Sequence, residues 1–314
     1  MGGTAFVAQG YESKRMNKDQ FNKIKEEIYN FLDLLNIDYY DIPYIREKET
    51  FGDLDVVVIS ENSNTLDKII ANRHKLDSYV YFNRNKDLMS MLYKGHQIDF
   101  ISTKKEYSDS HAHYLSHNDL GNLLGRTIKQ AGYKHGHNGL FYVYREGDSF
   151  KKEIPITTDI NVTLGVLGLN STLFHNGFDN FEDMFEYVTT SPYFNPVRYE
   201  LSNLNNRNRV RDKKRANYAG FLKYIKENKF TTSIQMKSPF EVFPFLVQAV
   251  EEIKSARKKE SEIKSKFNGD LCMKYTDLTG KELGIFINRI KLKYPDIHLS
   301  SDDEIKNIII SENK

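Results

Sequence analysis

Two periods of apolar residues organise the first part of the chain. Phe21, Ile24, Ile28, Phe31, Leu32 and Leu35 recur at helical spacing behind Asn17, a good N-cap with Gln20 three residues on. This predicts an amphipathic helix opened by a capping box. The β-branched run Val56-Val57-Val58 then predicts a buried strand, entered through Gly52-Asp53-Leu54-Asp55. His96-Gln97-Ile98-Asp99-Phe100-Ile101-Ser102 reads as a second strand with Asp99 at its centre. Between them, residues 65–76 and 85–93 read as a helix and then a helix or turn. Leu120 to Ala131 reads as a helix ended by Gly132, and Phe141-Tyr142-Val143-Tyr144 as a strand.

Farther on the pattern is helical. Thr157-Thr158-Asp159 and Phe178-Asp179-Asn180 each precede an apolar run, as capped helix starts do. Leu283, Phe286, Ile287 and Ile290 form one apolar helix face, and Gly284 is expected to allow close helix contact. The expected fold class is α+β: a mixed sheet with helices in residues 1–145, a closing segment in 146–205 and a mostly helical region in 206–314.

The strand reading gives the carboxylates their meaning. Residues two apart on a strand point to the same side, so Asp53 and Asp55 project together from an otherwise apolar element. Adjacent like charges in a half-buried setting are costly unless a cation lies between them. Hard oxygen ligands suit magnesium or manganese. With Asp99 as a third carboxylate on a neighbouring strand, two ions roughly 3.5–4 Å apart could be held. That geometry clamps the attacking and leaving oxygens in phosphoryl or nucleotidyl transfer.

Residues around these carboxylates carry a family resemblance. Tyr44-Ile45-Arg46-Glu47-Lys48-Glu49-Thr50-Phe51-Gly52-Asp53-Leu54-Asp55 resembles the opening of the palm in family X DNA polymerases, of the polymerase-beta-like nucleotidyltransferase superfamily. Gly132-Tyr133-Lys134, Asn138-Gly139-Leu140-Phe141 and the lead-in Lys14-Arg15-Met16 are similar too, and the likeness spans roughly residues 11–200. Ser191-Pro192-Tyr193-Phe194 resembles the family's closing segment. The resemblance implies a nucleotidyltransferase palm, Asp53, Asp55 and Asp99 as catalytic metal ligands, and Mg2+ or Mn2+ as a two-ion cofactor. It also implies a nucleoside triphosphate as substrate, with Arg46 on the triphosphate and Lys48 as a candidate beside it. Gly52, Ser116 and His117 are the further candidates for nucleotide binding.

The departures from the family fall in the nucleotide pocket. Ile42 and Pro43 stand where the family has Gly-Ser, and Pro43 has no N–H to offer a phosphate. Leu115-Ser116-His117 replaces Thr-Gly-Ser, and Asn122 stands one place off. The metal site is kept while the pocket is rebuilt.

Composition sets the remaining limits. Of 314 residues, 45 are Lys or Arg and 43 Asp or Glu, a net charge of +2, so any attraction to nucleic acid must be local. Arg207, Arg209, Arg211, Lys213, Lys214 and Arg215 supply one basic run, followed by Tyr218, Phe221 and Tyr224; basic groups beside aromatics suit a nucleic-acid strand. A second run, Lys254 to Lys266, is diluted by glutamates and reads as a solvated helix face. Gly269-Asp270-Leu271 and Leu278 to Gly284 weakly resemble the helical body of CCA-adding enzymes and bacterial poly(A) polymerases, which contacts RNA. His111, His113, His117, His135 and His137 crowd together, but without a nearby cysteine or a helical His-carboxylate pattern they argue for lining the nucleotide or acceptor site, or for loops, rather than zinc. No eighteen-residue apolar run predicts a membrane span, and the N-terminus lacks a secretory pattern. The single Cys272 excludes an internal disulfide and fits the reducing cytoplasm.

These features lead to an expected metal-dependent nucleotidyltransferase (EC 2.7.7 type) acting on a nucleic-acid 3′ hydroxyl. Residues 1–16 leave no room for the lyase and DNA-gripping domains that usually precede the palm in family X. The C-terminal resemblance and the basic run favour RNA, so a tRNA-like acceptor is slightly preferred to a family X-like DNA polymerase role. The other readings are nucleotidylation of a protein or small molecule, and a nucleic-acid-binding protein that has lost catalysis.

Overall fold

In a computed structural model the described residues are 3, 5–60, 64–77, 81–147, 149–230 and 234–313. The chain runs through β1 (Met16–Asn17), α1 (Lys18–Leu34), β2 (Tyr39–Tyr40), β3 (Thr50–Phe51), β4 (Asp53–Ile59) and α2 (Thr65–Ala71). It continues through β5 (Tyr81–Asn85), β6 (Leu88–Tyr93), β7 (His96–Thr103), α3 (Lys105–Leu115), α4 (Leu120–Ile128), β8 (Tyr133–Gly136), β9 (Gly139–Glu146) and β10 (Phe150–Thr157). Helices follow: α5 (Ile160–Val166), α6 (Ser171–Asn176), α7 (Phe181–Thr189), α8 (Asn206–Lys213), α9 (Ala216–Glu227) and α10 (Pro239–Val242). The last are α11 (Phe245–Lys266), α12 (Gly269–Met273), α13 (Gly280–Lys293) and α14 (Asp302–Glu312). The protein is thus mixed α+β with a helical C-terminal region. By contacts it divides into two compact units, Met1–Phe243 and Pro244–Lys314.

The first unit holds a five-stranded mixed sheet in the order β2-β4-β7-β6-β5. Only β4 and β7 pair in parallel; the other neighbours are antiparallel. A parallel pair needs a crossover, and here α2 and the β5–β6 hairpin supply it. Helix α1 starts as predicted: the Asn17 side chain accepts from the Gln20 N–H at 2.8 Å, and the Gln20 side chain accepts from the Asn17 N–H at 3.0 Å. Its apolar face packs with Leu54, Val56 and Val58 from the sheet's β4. Phe21 stacks on Phe51, with ring centroids 3.9 Å apart.

Residues 85–93 correct the sequence reading. They are mainly strand: β6 lies antiparallel to both β5 and β7. Leu88 to Tyr93 is a six-residue run, apolar but for Ser90, too short for periodicity to separate strand from helix. The turns decide it. Lys86 takes φ 53°, and Lys94 and Gly95 take φ 50° and 80°, the pair of positive angles that matches the twist of a two-residue hairpin.

A second core joins α4, the β8–β9–β10 sheet and helices α5, α6, α7 and α9. It contains Tyr218 and Phe221 and takes in Tyr224 at its edge. Tyr218 and Phe221 are therefore not free to stack on bases, which corrects the role expected of them beside the basic run. Asp159 and Asn180 cap α5 and α7 as predicted.

In the second unit Phe286 and Ile290 are buried, with Leu283 and Ile287 packed beside them. Gly284 does not make the expected close contact, since a Cβ there would meet open space. The approach is at Gly269, where a Cβ would lie 3.6 Å from Leu283 and 3.8 Å from Ile287. On α11, Lys254 and Lys264 pair with Glu251 and Glu260 on the same helix, and Lys259 pairs with Asp296. No helix among the described residues is long and apolar enough to cross a membrane.

Candidate active site

The parallel register of β4 and β7 sets Asp55 directly opposite Asp99, with Asp53 opposite Gln97. Asp53 and Asp55 share a strand face, so the three carboxylates meet at one spot. One oxygen from each lies within 4.8 Å of the others. Among the described residues this is the only group of three or more such side chains able to share a metal ion. The histidines form no such group.

Electrostatics show what this juxtaposition costs. Burial pushes the Asp55 carboxyl well above its ordinary range, and repulsion from Asp53 and then Asp99 adds to it. Asp53 is raised by burial, opposed mainly by Lys48. Asp99 is pushed up to about 6, again mainly by burial. Half-buried Lys48 is lowered by its own desolvation, against the pull of Asp53 and Asp55. Ionising all three in so poorly hydrated a place is therefore costly, a cost that a divalent cation relieves.

Asp99 is held by neighbours. The Gln97 amide donates to both its oxygens, at 3.0 and 2.9 Å. The amide cannot turn over, because its oxygen accepts from the Ala5 N–H at 2.9 Å. Ser90, opposite Asp99 on β6, also bonds the carboxylate. Groups that orient a metal ligand commonly change metal affinity by 10–100-fold when removed. Gln97→Leu is accordingly expected to weaken Mn2+ binding by about 10–100-fold with little change in fold, as calorimetric titration alongside circular dichroism would show. Unchanged affinity would leave Gln97 no part in positioning Asp99.

A cavity of about 350 Å3 opens over Asp53 and Asp55, walled by Lys48, Tyr114, Asn118, Asp119, Arg211 and Arg215. A second, of about 520 Å3, shares Lys48, Asp53, Asn118, Asp119 and Arg215 with it and adds Arg15 and Gly52. Arg215 pairs with Asp119 across the wall. Arg211 donates to Asn122 Oδ1 at 2.8 Å and also reaches Asp212.

The remaining predicted residues separate into those the fold brings to this cleft and those it does not. Lys48 and Gly52 line it. Arg46 is turned away: it pairs with Asp179 and donates to the Asn176 carbonyl at 2.7 Å, tying β3's approach to the loop before α7. Ser116 is fully buried and donates its hydroxyl to the His113 carbonyl at 2.7 Å. His117 is buried against the edges of Phe174 and Phe178, with its N–H on the Pro43 carbonyl at 2.7 Å. Desolvation lowers its imidazole to about 4. Ile42 and Pro43 do line the cleft. Of the basic run, Arg211 and Arg215 reach the cleft, Arg209 donates to the Leu204 carbonyl at 2.8 Å, and Arg207, Lys213 and Lys214 are exposed.

Sequence reasoning missed Gln97, Tyr114, Asn118 and Asp119. Gln97 was open to it, being two residues before Asp99 on the same strand face. Asn118 was not: it and His117 take φ 63° and 52°, a left-handed pair that aims Asn118 at the cleft. Asp119 and Arg215 are joined only by tertiary folding.

The histidine cluster has a consequence for stability. His135 is buried against Tyr114, and neither ring nitrogen has a partner among the described residues. Desolvation lowers it to about 4, with His137 adding to the effect; His111 is lowered to about 3 for the same reasons. A depressed histidine is neutral when folded and binds a proton when unfolded. Its stabilising contribution is complete above the unfolded value near 6.5 and is lost as pH falls towards 4. Between pH 7 and 5 each such group should cost about 2 kcal/mol. His135→Asn is expected to flatten the fall in urea-unfolding free energy over that range by about this amount. An unchanged slope would show that His135 does not titrate in that way.

No known family's sequence model matches the chain, and no curated protein matches it.

Proposed function

We propose that the protein is a metal-dependent nucleotidyltransferase with a polymerase-beta-like palm, moving a nucleoside monophosphate from an NTP or dNTP to an acceptor hydroxyl. One observation carries this reading: the parallel register that sets Asp55 beside Asp99 and gathers Asp53 with them, Asp53 and Asp55 opening on a cleft lined by Lys48, Arg211 and Arg215.

The donor set fits the metal. Three carboxylates within 4.8 Å, raised by burial and mutual repulsion, are hard ligands awaiting positive charge. Asp53, Asp55 and Asp99 would hold Mg2+ or Mn2+, which when bound would neutralise the triphosphate and acidify the acceptor hydroxyl. Asp99, fixed by Gln97 and Ser90, takes the hydroxyl proton. The acceptor oxygen bonds to the α-phosphorus as the bond from that phosphorus to the bridging oxygen breaks. Pyrophosphate leaves with the electron pair. Lys48, Arg211 and Arg215 offset the charge that builds on it.

The acceptor is read as a nucleic-acid 3′ end, with RNA favoured, because Arg211 and Arg215 of the basic run stand at the cleft. A protein or small-molecule acceptor is the second reading. It draws on the spent nucleotide segment, in which the Ser116 hydroxyl and the His117 N–H are already bonded inside the protein.

The test is transfer of label from α-labelled nucleotides to tRNA, 3′-trimmed tRNA, primed DNA, single-stranded DNA and the protein itself. Transfer to one nucleic acid, lost in the Asp53→Asn, Asp55→Asn double variant, is expected. Label on the protein alone would replace the acceptor. No transfer to anything, with Mn2+ bound, would overturn the reading.

A further inference from the structure

Beside the carboxylate cleft lies a larger cavity, of about 880 Å3. Tyr114, Asn122 and Arg211 line both, so these side chains form a wall common to the two. One wall is α4 and the β8–β9–β10 sheet. The other is built by residues 195–211, most of which lie beyond the stretch similar to family X polymerases.

The lining has one sign. No aspartate or glutamate contributes to it, whereas seven lysines and arginines do. Four of these are satisfied within the protein: Lys134 and Lys151 by Glu153, Arg126 and Arg211 by Asp212. Lys129, Arg145 and Arg198 pair with no carboxylate among the described residues. They come from three separate elements, the turn after α4, strand β9 and the turn at Pro196–Tyr199. Unpaired cations spread along a concave wall suit an extended polyanion better than a single compact phosphate.

Behind the cations the same wall holds buried polar groups. Tyr133 is 2% exposed and His135 7%, and both line this cavity. The Tyr133 hydroxyl, both ring nitrogens of His135 and Asn122 Nδ2 have no hydrogen-bond partner among the described residues. Buried polar groups are nearly always satisfied. Lys129, Arg145 and Arg198 are the groups that a strand's backbone can reach from the cavity.

We propose that this cavity seats the acceptor strand: a single-stranded nucleic-acid segment leading to the 3′ hydroxyl, with Lys129, Arg145 and Arg198 on its phosphodiesters. The inference rests on the nucleotidyltransferase reading for its direction, since the shared wall leads the strand's end to the carboxylates. It makes α8 and the preceding turn part of the substrate site.

The experiment is fluorescence anisotropy of 5′-labelled single-stranded RNA and DNA dodecamers of one sequence, with the full chain, in metal-free buffer across a salt series. The variant is Lys129→Gln, Arg145→Gln, Arg198→Gln. A control with the same loss of charge is Lys223→Gln, Lys226→Gln, Lys229→Gln. Each phosphate contact on a single strand adds about 0.7 to the slope of log affinity against log salt. Losing three should flatten it by about 2 and weaken binding about 100-fold at 0.1 M salt. The control should bind as the unaltered chain does. Circular dichroism of the cavity variant checks its fold. Preference for the RNA or the DNA arm identifies the strand, and either supports the site. Wild-type affinity and slope in the cavity variant, or no binding of either strand by the unaltered chain, would overturn it. Cavity-dependent binding without nucleotide transfer would remove the catalytic reading and keep the strand site. Transfer with an unchanged strand KM in the cavity variant would do the reverse.

Discussion

Asp55→Asn is expected to abolish tight divalent-metal binding and, in the same protein, to raise the unfolding midpoint measured in EDTA. The two effects share one cause. Asp55 lies between Asp53 and Asp99, is desolvated, and is repelled by both. A neutral isostere removes the repulsion and the cost of burying the charge. It also removes the ligand that unites the trio. The order should invert when metal is added. Metal bound only by the folded state adds about 2.7 kcal/mol at a hundred times its Kd, which the variant forgoes. Nucleotide transfer should fall about a thousandfold, the loss of some 4 kcal/mol of metal-borne charge stabilisation. Scanning calorimetry with EDTA and with Mn2+, beside a transfer assay, checks all three. A variant less stable than the parent in EDTA would mean that Asp55 is a structural residue and not a ligand poised for a cation.

The largest expected loss of stability lies at Asp212, the one acid within the basic run. Its side chain is fully buried and pairs with both Arg126 and Arg211. Arg126 is itself almost buried and lies over the ring of Tyr218, 4.9 Å from its centroid. Asp212→Ala strands that guanidinium, and breaking a buried pair from one side costs about 3–5 kcal/mol. In a unit of this size that is a fall of about 10 °C or more in Tm. The double variant Asp212→Leu, Arg126→Leu removes both charges and should recover much of the loss. Urea unfolding of the two variants decides. If the single variant costs less than about 1 kcal/mol, the pair behaves as an exposed one. The pair also fastens α8 to α4, so the single variant should disturb Arg211 at the edge of the cleft.

Asp212 illustrates how a sequence pattern can be read correctly and still mislead. In the chain it only dilutes a basic run. In the fold it divides that run: Arg211 turns inward to it, Arg215 goes to Asp119, and Arg207, Lys213 and Lys214 stay in solvent. The aromatics after the run are core for the same reason that they are aromatic, being the large apolar groups that α9 has to bury. Arg46 likewise stands close to the carboxylates in sequence, yet its guanidinium is held by Asp179, more than a hundred residues on.

What the sequence determined by itself is local. Asn17 and Gln20 start α1, Gly132 ends the turn after α4 at φ 85°, and alternation along a strand places Asp53 and Asp55 on one face. These follow from bond geometry within a few residues, which no distant contact needs to supply. The tertiary structure decided everything that depends on pairing. It chose the parallel register that brings Asp99 to Asp55, the hairpin where a helix or turn was expected, and the wall of residues 195–211 that closes the basic cavity. Register and burial are long-range choices, settled by which apolar faces meet and which charges can be neutralised there. A carboxylate's position along the chain therefore says where it can point, while only the packed sheet says what it faces.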